Sequence, residues 1–522
     1  MWTLARARPW DTVAVSAITL ILLLHVRFSV RDHRPLTDLG HYYSSFKTIY
    51  EGWHAGEGFD LSVLDTPYTL VLVFASMVFG PSVGLMETID GLWLAVLLAG
   101  TWAVARSLAG PLAGAAAVLV LAGAPQTVVL ARTHWIHHPE TAALAGALGV
   151  WALSPGVRTW GHAVGIAVLL FFGETIRQTG LPFGLPVAAL VLGAAWRAGA
   201  RARLVPIAAA AIGGVVWYAP SIWTYLRHKS ESAEGYAASV HNPWWHFVEA
   251  LTPLLLLAAL PLAALAFGAL RRRDLTAAVV ALCVVWLVGT AAAVSIFHVG
   301  ADNFPIAVVA FALLAGIGVA RLPTVWPGRP RAPRVAVSVI GVIALFLQGG
   351  SLVEERWLRP FQLFVRPWGS SGSMNYLRVY WNPLTLEQVL PYVRQACAPV
   401  AATPGARCEL LTSQGLFNPS WEDAGAFALF LGGIEHVEVL TPQNVWDPQG
   451  NVVEWHRMFR ALIDVQCGNA MGPDQANRFD TQNARMRQML AYWGGNGPDA
   501  AVIAPRSCGQ MWYLMPEGVR AQ

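Results

Sequence analysis

Three short segments carry side chains whose types and spacing could do chemistry, and each lies where an apolar run gives way to a polar one. Charge beside hydrocarbon is costly and is generally kept for a site. The first segment is Thr37-Asp38-Leu39-Gly40-His41-Tyr42-Tyr43. A carboxylate at a membrane boundary can take a proton from an acceptor hydroxyl, and His41 and Tyr42 are near enough in sequence to touch the same substrate. Thr37 or Asp38 ahead of a helical stretch to about Trp53 also fits a helix N-cap, the use that spacing alone favours. The second segment is Arg132-Thr133-His134-Trp135-Ile136-His137-His138-Pro139-Glu140. His134 and His138 are four apart with Glu140 following, so a metal site is conceivable, yet Pro139 interrupts a helix where the pair would need one. Glu140 at a helix start has a structural use too, offsetting the helix dipole. In the third, Gly173-Glu174-Thr175-Ile176-Arg177-Gln178-Thr179-Gly180, Arg177 either pairs with Glu174 three residues away or offers its several donors to a phosphate. Arg227, His228 and Lys229, and also His298, Asp302 and Asn303, are candidates of the same kind. Trp244 and Trp245 read as an aromatic belt.

The elements that must position these residues are membrane spans. Apolar runs of about 20 residues, the length that crosses hydrocarbon, lie near 12–30, 87–107, 111–131, 140–154, 159–176, 180–197, 203–223, 247–269, 275–297, 304–322 and 335–353. The run from Pro67 to Gly80 is short, and counting it would reverse every later helix. Without it, Arg6/Arg8, Arg106, Arg158, Arg197/Arg201/Arg203, Arg271 to Arg273 and Arg321/Arg329/Arg331/Arg334 all fall on one side, as the positive-inside rule requires of a cytoplasmic face. The expected architecture is therefore an α-helical polytopic membrane domain over 1–353 with eleven transmembrane helices. Its first outer loop spans 31–86, and 67–80 is a juxtamembrane or re-entrant helix on the outer face.

Beyond Val353 the long apolar runs stop. Short alternating stretches at Cys408–Leu411 and His436–Leu440 read as strands, and Leu384–Gln395 and Met458–Val465 as helical, so 354–522 is expected to be an α/β domain on the outer, extracytoplasmic side. Four of the five cysteines, Cys397, Cys408, Cys467 and Cys508, lie in this tail. An even number there suits two disulfides; neighbouring pairs, 397 with 408 and 467 with 508, are expected among three pairings. A four-cysteine zinc site competes weakly, because no pair has the spacing of a zinc knuckle.

Of 522 residues, 55% are hydrophobic and 13% charged, which excludes a soluble enzyme and a disordered chain. With 35 basic and 31 acidic residues, net +4, nucleic acid is no partner. No phosphate-cradling P-loop, dinucleotide fingerprint or H-E-x-x-H occurs, and carboxylates in mid-span are lacking, as against an ion-coupled transporter. Two lysines, Lys47 and Lys229, against many arginines fit a GC-rich bacterial gene and so a bacterial inner membrane.

The order of features over about 12–322 resembles the GT-C superfamily of polyprenyl-phosphate-dependent glycosyltransferases, in the branch of protein O-mannosyltransferase-like and aminoarabinose-transferase-like enzymes. Thr37-Asp38-Leu39-Gly40-His41-Tyr42 resembles the acidic opening of the family's first outer loop. Thr66-Pro67-Tyr68 through Val78-Phe79-Gly80-Pro81-Ser82 resembles its proline-led helix ending in Phe-Gly. Pro139-Glu140-Thr141-Ala142, Arg177-Gln178-Thr179-Gly180-Leu181-Pro182 and, loosely, Asn303-Phe304-Pro305 follow in the family's order. The resemblance implies inverting transfer of a sugar from a polyprenyl-phosphate donor to an envelope glycan, lipid or protein on the non-cytoplasmic face. It makes Asp38 the catalytic base and Glu140 a second acidic residue orienting the acceptor or a divalent cation (Mg or Mn). Arg177, with Arg227 and Lys229, would bind the donor phosphate; His41, Tyr42, His138, His298 and Asn303 would line the substrate site. The chain departs from the family in Leu39, where many relatives have Glu, and in Glu140, where they have Asp; both leave a metal requirement open. A flippase for lipid-linked saccharide and a non-catalytic envelope scaffold are the competing readings.

Overall fold

The computed structural model describes residues 9–32, 40–124, 127, 131, 136–177, 179–219, 251–297, 305–350, 386–401, 408–412, 429–431, 433–434, 437–440, 459–466, 501–503 and 509–514. Each of the eleven expected runs contains a helix: α1 (Pro9–Asp32), α4 (Val83–Ala109), α5 (Pro111–Gly123), α6 (His137–Leu153), α7 (Trp160–Thr175), α8 (Gly180–Arg197), α9 (Arg201–Ala219), α10 (Pro253–Ala266), α11 (Leu275–Phe297), α12 (Ile306–Val325) and α13 (Ala332–Gly350). Between α1 and α4 come α2 (Gly40–His54) and α3 (Pro67–Phe79). Seven helices among the described residues are long and apolar enough to cross a membrane; α5, α6, α7 and α13 fall short of that measure. The chain is thus a helical, polytopic membrane protein, with apolar side chains such as Leu257, Val288 and Val342 turned outward along its helices.

Small residues set the packing. Nearly every residue of α12 is buried, and at Gly318 a Cβ would stand 1.7 Å from the Leu262 carbonyl oxygen of α10. Helices α4 and α6 cross through Gly100 and Gly149, where a Cβ on Gly149 would come 2.6 Å from Gly100 Cα. Without water between helices to expel, close backbone approach and dispersion hold such a bundle together, and bulky side chains would forbid it.

Contacts sort the two ends of the bundle. At one end Arg106 of α4 grips Asp11 of α1 with two hydrogen bonds of 2.7 and 2.9 Å. There too, Arg203 donates to the Val157 carbonyl at 3.0 Å, and the Arg321 guanidinium lies against Gly268. At the opposite end His25 of α1 donates to the Glu87 carbonyl of α4 at 2.8 Å, and Gln348 of α13 to the Ala122 carbonyl of α5 at 2.6 Å. Arg106, Arg203 and Arg321, grouped by charge in the sequence, are therefore grouped in space.

Helix α3 is built as its sequence requires: the Thr66 hydroxyl caps it by accepting from Tyr68 N–H, Pro67 opens it, and Gly80 at φ 79° ends it. Its inner face, Tyr68, Leu72 and Val73, joins Phe46 and Ile49 of α2 in a second apolar core. In the loop before α3, Asp60 caps the turn Leu61–Val63, and the Ser62 hydroxyl and amide hold its carboxyl below the usual range.

The same second core continues into the tail, through Val393 and Cys397 of α14 (Leu386–Ala401), Cys408 and Leu410 of β1 (Cys408–Thr412), and Phe430. Phe430 stands edge-on to Phe46 and Tyr50 with ring centroids 6.1 and 6.0 Å apart. The first loop and the tail thus pack on one another. With β2 (Val437–Leu440), β3 (Phe459–Gln466), β4 (Ala501–Ile503) and β5 (Gly509–Leu514), β1 forms a five-stranded sheet in the order β2-β1-β3-β5-β4. Strands β2, β1 and β3 run parallel, while β5 is antiparallel to both β3 and β4.

One element departs from the sequence reading. Met458–Val465 reads as helical, yet Phe459–Gln466 is a strand between β1 and β5. Ladders on both sides, together with β-branched Ile463 and Val465, outweigh the local helical pattern. A disulfide joins Cys397 to Cys408, as expected. Cys467 and Cys508 lie outside the described residues, next in sequence to the last register pair, Gln466 and Gly509.

Candidate functional site

Glu140 and Arg177, drawn from two different segments, are brought together through a residue between them. His137 and Glu140 sit one turn apart in the first turn of α6, and His137 Nδ1 lies 3.2 Å from Glu140 Oε2. Arg177 Nη1 lies 2.8 Å from His137 Nε2. A guanidinium can only donate, so Nε2 must accept and the ring proton must sit on Nδ1, pointed at the carboxylate. The imidazole is thereby a neutral relay: Arg177 donates to it, and it donates to Glu140. Thr179 completes the group, its hydroxyl donating to Glu140 Oε2 at 3.0 Å.

The turn between α7 and α8 makes this possible. Gly180 N–H bonds the Arg177 carbonyl at 2.9 Å, and a Cβ at Gly180 would come 1.9 Å from the Gly173 carbonyl oxygen and 3.3 Å from Glu140 Cγ. Only glycine permits the turn to close so tightly over the carboxylate. Tyr218 at the end of α9 braces it by donating to the Thr175 carbonyl at 2.7 Å. His137 and Glu140 are 1% and 4% exposed, so their hydrogen bonds are shielded from competing water.

Arg177 and Glu174 do not pair as their spacing allows. Neither Glu174 oxygen has a hydrogen-bond partner among the described residues, and the side chain is wedged between Gly184 of α8 and Gly214 of α9. His138 turns the other way, donating from Nε2 to the Asp90 carbonyl of α4 at 3.2 Å. It borders a second buried polar group, Glu87, Asp90 and His25, with Tyr68 and Trp93 beside it at 6.4 Å between ring centroids.

The sequence reading missed His137 as a site residue, and with it Thr179, Tyr218, Glu87, Asp90 and His25. Glu87 and Asp90, three apart in an apolar run, were the available signal. Both lie in the first two turns of α4, and Glu174 in the last turn of α7, so buried acid gathers at the end of the bundle away from the arginine loops. His41 and Tyr42 fall in α2, but their side chains are outside the described set. Asp38, His134, Arg227, His228, Lys229, His298, Asp302 and Asn303 are outside the described residues altogether. Among the described residues no three metal-ligating side chains gather, and Glu140 Oε2 is already engaged by His137 and Thr179.

No family profile matches the chain, and no curated protein matches its sequence. Its structure is similar to that of ArnT from Cupriavidus metallidurans in the apo state, at 15% identity and a TM-score of 0.52, over 97% of this chain and 98% of that one. Looser likenesses are to the same organism's ArnT bound to undecaprenyl phosphate, at 17% identity and a TM-score of 0.48 over 99% and 100% of the chains. The oligosaccharyltransferase of Archaeoglobus fulgidus tethered with an acceptor peptide follows, at 11% identity and a TM-score of 0.44 over 86% and 68%. The first likeness is one of fold and extends past residue 322 into the tail.

Proposed function

We propose that this protein is an inverting membrane glycosyltransferase that moves a sugar from a polyprenyl-phosphate donor to an envelope acceptor on the non-cytoplasmic face. The observation that carries the reading is the buried Arg177–His137–Glu140–Thr179 network, at the end of the bundle opposite its arginine loops. In the proposed reaction the acceptor oxygen attacks the anomeric carbon as its proton passes to the Asp38 carboxylate. The bond from that carbon to the phosphate oxygen breaks, and its electron pair leaves with the phosphate. Arg177, aided by Arg227 and Lys229, stabilises the charge that collects there, and Glu140 orients the acceptor side. His41, Tyr42, His298 and Asn303 line the substrate site in this reading, while His138, bonded to the Asp90 carbonyl, faces away from it.

The proposed topology has eleven crossings in a bacterial inner membrane, with the N-terminus inside and residues 354–522 outside. Packing of the first loop against the tail supports it. A reporter fused after Arg273 is expected to read cytoplasmic, and one fused after Arg366 extracytoplasmic; a cytoplasmic tail would overturn the orientation.

Mass spectrometry of envelope glycans, lipids and glycoproteins from wild-type, deletion and Asp38→Asn cells tests the activity. Loss of one sugar from both mutants, with protein level unchanged, is the expected result. Loss in the deletion alone would reduce Asp38 to a helix cap and move the base elsewhere.

A further inference from the structure

The network puts a neutral ring between two opposite charges that could otherwise have met. Arg177 follows α7 and Glu140 opens α6, and each is bonded to a different nitrogen of the same imidazole, at 2.8 and 3.2 Å. Both ring nitrogens are therefore assigned, one as acceptor and one as donor, and the ring can neither flip nor change tautomer without breaking a bond. Thr179 reaches Glu140 from the other side of the turn at 3.0 Å, so the carboxylate that fixes the ring is itself fixed. A direct Arg177–Glu140 pair would have turned the planar fork of the guanidinium onto the carboxylate in bidentate fashion. The imidazole instead takes one N–H, at Nη1, and so helps to align the fork.

We infer that His137 is a positioning residue for the donor phosphate: its neutral imidazole, locked by Glu140 and Thr179, orients the Arg177 guanidinium. This rests on the reading of Arg177 as a phosphate ligand. His137 acts through Arg177 and touches no reacting atom.

The test is binding of undecaprenyl phosphate and of neutral undecaprenol to the full chain in lipid nanodiscs, read by native mass spectrometry. Wild type is expected to prefer the phosphate, and Arg177→Ala to lose that preference. His137→Phe, which keeps a ring but neither nitrogen, is expected to weaken phosphate binding about tenfold, the scale of one charge-assisted hydrogen bond. His137→Gln, with one donor and one acceptor, is expected to bind within about threefold of wild type. Undecaprenol binding stays level throughout, which a merely structural role would not give. Unchanged phosphate binding in His137→Phe, or equal weakness in His137→Gln, overturns the inference. If wild type shows no preference, the donor reading itself falls. Should His137→Phe not accumulate, Thr179→Val reads the same support: a loss of about threefold or more is expected, and an unchanged constant overturns the inference.

Discussion

Arg177→Ala lowers sugar transfer by two to three orders of magnitude while the protein still assembles. The expectation follows from what the guanidinium touches. Among its partners is His137, which keeps its bond to Glu140 when Arg177 is removed, and Glu140 keeps Thr179. The carboxylate is thus not stranded, and the usual large penalty for breaking a buried pair does not apply in full. In the proposed mechanism the leaving phosphate, in contrast, loses a preorganised donor, which costs about 10²–10³ in rate, or about 2.7–4 kcal/mol of barrier. Arg177→Lys keeps the charge but not the fork, and its compact ammonium cannot hold the imidazole and a phosphate in one plane. It is expected to recover part of the loss and to fall short of wild type. The check is the rate at which the sugar missing from deletion cells returns after induction of each variant. A return at the wild-type rate in Arg177→Ala would remove Arg177 from the site.

Gly318→Val abolishes assembly of the bundle. Its Cβ would fall 1.7 Å from the Leu262 carbonyl oxygen and 2.5 Å from the carbonyl carbon. The obstacle is backbone, so no rotamer change relieves it, and α10 must move away from α12. Because α12 is buried nearly end to end, that movement passes to α5 and α13, which also pack through small residues. Overpacking of this kind costs about 3 kcal/mol or more. Gly341→Ala is the control, since a Cβ there meets only Leu119 Cδ1 at 3.5 Å, an ordinary contact. Size-exclusion profiles of fluorescent fusions should show a monodisperse peak for Gly341→Ala and aggregate for Gly318→Val. A monodisperse peak for Gly318→Val would refute the close approach of the two helices.

The helices were legible because apolar length is written directly in the chain, and the distribution of arginines was enough to sort the two ends of the bundle. Arg106 and Arg203 are found at one end, bonded to Asp11 and the Val157 carbonyl, as charge grouping required. Glu140 and Arg177 were legible as charges at helix ends. Their joining was not, because 37 positions separate them and the link is a histidine read only as part of a motif. Pairing by spacing pointed Arg177 at Glu174, three residues away. In the fold the closed turn at Gly180 directs it to α6 instead, and Glu174 is enclosed by glycines of α8 and α9. Strand β3 was misread for a related reason: eight residues carry too little periodic signal to compete with ladders on both sides.

The strand order β2-β1-β3-β5-β4 has a bearing on when the tail can mature. β5, the last described strand in chain order, lies between β3 and β4, so the sheet cannot close until residues 509–514 have been made. Until residues 509–514 arrive, β3 presents a bare edge and β4 has no neighbour to pair with. The sheet is therefore completed late, onto helices that precede it in the chain. A stop codon even slightly upstream of residue 509 would remove an inner strand, not trim an edge, and leave behind an open ladder that invites association between copies.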